Sequence, residues 1–109
     1  MVVVGVEYLI ALGLMQKLSS GKDMVSFLEL FALGGKLQSR LNEACVDAVV
    51  VRHSLSEGIS RFGGFFEQVD LSGEEHVRCA RGVTLSGLKD RFLAYLPLDV
   101  LEVMSEMLG

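Results

Sequence analysis

Arg52-His53-Ser54-Leu55-Ser56 gathers a guanidinium, an imidazole and two hydroxyls directly after the apolar run Val49-Val50-Val51. If the run is a strand and the next segment a helix, the first N–H groups of that helix lack partners and its dipole favours an anion. Arg52 would add a forked donor suited to phosphate or carboxylate, and Ser54 or Ser56 a hydroxyl. Arg61 lies nearly two turns further along and is the more distant partner. The candidate ligand-binding set is therefore Arg52, His53, Ser54, Ser56 and Arg61. A structural assignment competes for the same residues. Ser54 and Glu57 have the spacing of a capping box, whose side chains use two of the donors an anion would need.

Other chemistry is weaker. Phe62-Gly63-Gly64-Phe65 fits neither G-x-x-x-x-G-K-[ST] nor G-x-G-x-x-G, and its glycines follow a helical segment, so they act as a stop signal. Cys45, His53, His76 and Cys79 are a possible zinc inventory, but residues 76 and 79 on one strand point to opposite faces. Neither a metal site nor a cofactor is expected. The nucleophile pattern G-x-S-x-G is absent. Cys79 stands between Arg78 and Arg81, yet it alternates with Val77 and Val83 and is expected to face inward as a reduced core thiol, as is Cys45. Catalysis is accordingly disfavoured. Arg52, Arg61, Arg78 and Arg81 could form a basic patch for nucleic acid beside Phe65 or Phe66. Glu67, Asp70, Glu74 and Glu75 oppose it, as does a net charge of −4, so nucleic acid ranks as a third reading.

The elements that must position these groups follow from hydrophobic periodicity. Residues 4–19 read as a helix whose Val6, Leu9, Ile10, Leu12, Leu14 and Met15 run nearly all the way round, so it is enclosed on most sides. Val2-Val3-Val4 could instead be extended, being β-branched. Asp23 is a good N-cap for two helical pieces, about 24–33 and 36–45, separated at Gly34-Gly35. Residues 46–53 then read as a strand covered on both faces, 55–62 as a short helix, and 65–71 and 76–85 as a hairpin. Ser86 is positioned to cap a helix that Pro97 ends, and Asp99 to cap the last helix. The expected fold is α+β: a small three-stranded sheet (about 46–53, 65–71, 76–85) with two helical segments before it, a short helix at 55–62 and two C-terminal helices. An all-α fold is the alternative, if 46–53 continues the second helix.

At 109 residues the chain is expected to form a single domain, 1–109, with a core that needs neither metal nor disulfide. Half the residues are hydrophobic and 22% are charged, more apolar surface than so small an interior readily hides. The N-terminal apolar run is about 15 residues, contains Glu7 and falls short of a membrane span; no basic region precedes it as in a signal peptide. A soluble, cytoplasmic protein is expected. The leading functional expectation is association with itself as a homodimer, or with another protein as a small subunit. Its interface would be the apolar first and last helices, through Leu9, Leu12, Leu101, Met104, Met107 and Leu108.

Overall fold

The computed structural model describes residues 1–52, 76–79 and 82–108. Strand β1 (Val2–Val4) leads through Gly5 into helix α1 (Val6–Ser19), so the valine triplet takes the extended alternative and the helix starts two residues later than expected. β1 pairs in parallel with β3 (Ala48–Val50) in the register Val2↔Ala48, Val3↔Val49 and Val4↔Val50. Flanking bonds run from Val2 N–H to the Asp47 carbonyl at 3.0 Å and from Val51 N–H to the Val4 carbonyl at 2.9 Å. β3 sets aside the all-α alternative and keeps the α+β class.

Between these strands lie β2 (Met24–Ser26) and helix α2 (Phe27–Glu43). The expected cap at Asp23 is corrected to Ser26, whose hydroxyl accepts from Glu29 N–H at 3.2 Å. The reason is competition. Residues 24–26 pair with β4 (His76–Arg78) in an antiparallel ladder, and the Asp23 carbonyl accepts from Cys79 N–H at 3.1 Å, so this backbone is not free to become helical. The break at Gly34-Gly35 is also corrected, because α2 runs through both glycines. A Cβ on Gly34 would lie 2.9 Å from Arg52 Cδ and 3.1 Å from Leu9 Cδ1, so this glycine lets α1 and the Arg52 side chain approach closely. Helix α2 ends when Val46 N–H bonds to the Leu41 carbonyl and Cys45 N–H to that of Asn42, a Schellman motif. Its left-handed position is held by Cys45, at φ 56°, where glycine is usual.

The three-stranded sheet becomes two separate two-stranded ladders among the described residues, β1–β3 and β2–β4. The expected strand 65–71 and helix 55–62 lie outside those residues. Of the expected strand 76–85, His76–Arg78 is a strand and 82–85 is not: Gly82 takes φ +80° and Thr84 caps the next helix, its Oγ1 accepting from Gly87 N–H at 3.0 Å. Thr84 thus replaces Ser86 as cap. Helix α3 (Leu85–Leu88) continues into a π-helical turn, Lys89–Leu93. After Pro97, helix α4 spans Leu98–Leu108 with Asp99 inside its first turn and not at its cap.

α1 is the central helix. It packs on α2, β2, α3, the π-helical turn and α4, which accounts for its apolar circumference. Leu9, Leu12 and Met104 are buried within this core together with Leu37, Leu41, Leu88 and Phe92. Each such side chain contributes about 1.5–3 kcal/mol by leaving water. α4 is clamped against the rest by Gln16 Nε2, which donates to the Met107 carbonyl at 3.1 Å, and by an Arg40–Glu106 ion pair at 3.0 Å. No helix among the described residues is long and apolar enough to cross a membrane.

Candidate functional site

Of the five residues proposed to bind an anion, Arg52 is the one described; His53, Ser54, Ser56 and Arg61 lie outside the described residues. Arg52 leaves the end of β3 and lies across α2. Its Nη1 donates to the Phe31 carbonyl at 3.2 Å, and its guanidinium carbon stands 5.6 Å from the Phe31 ring centroid. Phe31 in turn meets Phe27 edge-on at a centroid distance of 4.3 Å. The missing side chain at Gly34 makes room for the Arg52 stem. Arg52 therefore acts as a strap from β3 to α2, with part of its donor set and its flat face already engaged.

Arg78 sits on a different ladder. Arg78 reaches the Met24 sulfur at 3.6 Å from β4, while Arg61 and Arg81 are not among the described residues. Two surface grooves collect charge. One, of about 490 Å³ between the end of α2 and α4, is lined by Glu43, Asp99, Glu102, Glu106 and Arg40. The other, of about 550 Å³, carries Lys17, Lys22, Asp23, Glu29 and His76. In the second, Lys17 pairs with Glu29 at 2.9 Å. Burial pushes the Glu29 carboxyl up, but Lys17 and the Ser26 cap outweigh it and hold the group below its ordinary value. This is helix-start electrostatics of structural kind. No group of three or more His, Cys, Asp or Glu side chains among the described residues is arranged to hold a metal. Cys79 is buried as expected, whereas Cys45, expected in the core, is an exposed free thiol at the end of α2.

The interface candidates divide. Leu9, Leu12 and Met104 are enclosed by the protein's own core and offer no surface, while Leu101, Met107 and Leu108 are half-buried against it. Apolar exposure is found elsewhere. On the β1–β3 ladder the even-numbered residues Val2, Val4, Ala48 and Val50 face the core, and Val3 and Val49, direct cross-strand partners, face out at 56% and 38% exposure. Leu28 on α2, Tyr95 before α4 and Leu98 at its first position are also exposed.

The two edges of this ladder differ. On β3, Gln38 from α2 fills the place of a neighbouring strand: its amide donates to the Ala48 carbonyl at 3.0 Å and accepts from Val50 N–H at 2.8 Å. On β1, Val2 and Val4 turn their backbone groups toward β3, so the N–H and C=O of Val3 point the opposite way, with no acceptor or donor among the described residues. Sequence reasoning missed Val3, Val49, Phe31 and Gln38. The valine pair joins residues that are distant in sequence, and no local pattern signals that pairing. No protein-family model, curated protein or solved structure matches the chain.

Proposed function

We propose that the protein works as a protein–protein association module, a homodimer or a small subunit of a larger assembly, through the outer face of the β1–β3 ladder. The observation that carries this reading is the exposed Val3–Val49 pair. Parallel ladders are ordinarily covered on both faces, and here one face rests on the core while aliphatic side chains occupy the other. The reading keeps the cytoplasmic setting expected from the sequence but moves the contact surface away from α1 and α4, whose apolar stripes support the fold. The engagement of Arg52 by Phe31 favours a structural role for it over anion binding.

Light scattering of purified wild-type protein and of Val3→Asp tests the reading. A mass above the 11.9 kDa of one chain is expected, falling to that value in the variant with the fold retained by circular dichroism. A strict monomer at high concentration, unchanged by the substitution, refutes self-association.

A further inference from the structure

We infer that a second copy of the chain pairs with the outer edge of β1, antiparallel about a twofold axis at Val3, to form a continuous β3–β1–β1–β3 sheet. The inference rests on the association reading above and specifies the partner and the bonds. The two edges of the ladder are treated differently by the fold. The amide of Gln38 closes the β3 edge at both Ala48 and Val50, as a neighbouring strand would. The β1 edge receives no such cover among the described residues, and Val3, at its centre, is 56% exposed. An exposed edge with free backbone groups is a template for another strand.

Self-complementarity selects a second copy as the occupant. In an antiparallel pair, directly opposite residues exchange both N–H···O=C bonds at alternate positions. A twofold axis at Val3 makes each copy's single outward N–H the donor to the other's single outward C=O. Both groups are satisfied, and the contact closes at two chains without leaving a repeating edge. Opposite residues of such a pair also share a face. The outer valines of the two copies therefore merge into one row, Val49–Val3–Val3–Val49, while the core-facing residues of both stay together on the other side. A strand of three residues, bounded by Gly5 and α1, suits this closed pairing better than extended addition.

Two substitutions at one position separate the bonds from the face. Val3→Pro removes the N–H that the partner would use and that no described residue accepts, and it keeps an apolar surface; proline is tolerated where an edge N–H faces solvent. Val3→Asp keeps the N–H and places like charges opposite each other. Sedimentation velocity is expected to show a dimer for the wild type and a dissociation constant raised by about tenfold or more in both variants. A dimer that persists in Val3→Pro but is lost in Val3→Asp overturns the edge pairing and leaves the apolar-face reading standing. A wild-type monomer overturns both. A readout independent of any variant is amide hydrogen exchange. The Val3 N–H is expected to slow as wild-type concentration rises, and an exchange rate independent of concentration overturns the inference even if Val3→Pro fails to fold.

Discussion

Gly34 and Gly35 are adjacent in one helix, and the structure predicts that replacing each with alanine has opposite effects. Glycine inside a helix costs about 1 kcal/mol relative to alanine. At Gly35 an added Cβ meets only Arg52 Nη1 at 3.9 Å, an ordinary contact, so Gly35→Ala keeps most of that gain. A rise in Tm of about 4 °C follows. At Gly34 the same Cβ would stand 2.9 Å and 3.2 Å from the Arg52 stem and 3.1 Å from Leu9 Cδ1. Arg52 can swing away, losing a hydrogen bond and a ring contact together worth about 1.5 kcal/mol. Leu9 is 1% exposed in a packed core and cannot, and overpacking there costs about 1–3 kcal/mol. After the propensity gain, Gly34→Ala is expected to lose about 2 kcal/mol. In an Arg52→Ala background its penalty shrinks, because two of the three close atoms are gone. Urea and thermal unfolding followed by far-UV circular dichroism measure the wild type, the three single variants and the double variant. Equal stabilisation by both alanines would refute the close crossing at Gly34. Destabilisation at Gly35 would refute the continuous helix.

Ser26→Ala is expected to cost about 1 kcal/mol by removing the α2 cap, and Asp23→Ala close to nothing; unfolding midpoints that reverse this order would return the cap to Asp23. Glu29→Gln is expected to weaken the protein slightly at neutral pH. The lowered Glu29 carboxyl contributes stability above the ordinary carboxylate range, and this is lost as pH falls through the lower folded value. The gap between variant and wild type in urea titrations should therefore close on acidification, and a gap that widens contradicts the Lys17–Glu29 assignment. Cys45→Gly is expected to stabilise by about 1 kcal/mol, since glycine relieves the φ of 56° at the end of α2; a lower Tm would contradict that geometry.

Local signals in the sequence were reliable where the structure answers to local physics. The apolar circumference of α1 and the β-branched run at β3 each follow from residues a few positions apart, whereas the helical segment expected to stop at Pro97 already ends at Leu93. Ser26-Phe27-Leu28-Glu29 has the same S-x-x-E spacing as Ser54–Glu57, and Asp23, directly before Met24, is a competing cap residue. What decided between them was β4, some fifty residues away, which claims residues 24–26 as a strand. The same distance effect hid the β1–β3 pairing. For α4 the stripe shows that one face is buried, but not that the covering surface is the chain's own α1 and α2. The glycine pair carried two meanings, a helix stop or a close crossing, and only the positions of Leu9 and Arg52 distinguish them.

Sedimentation equilibrium of the wild-type protein, over about a hundredfold range of concentration, bears most directly on the proposal of association. A mass rising with concentration toward twice the 11.9 kDa of the chain is expected. A mass fixed at that of one chain throughout would contradict it.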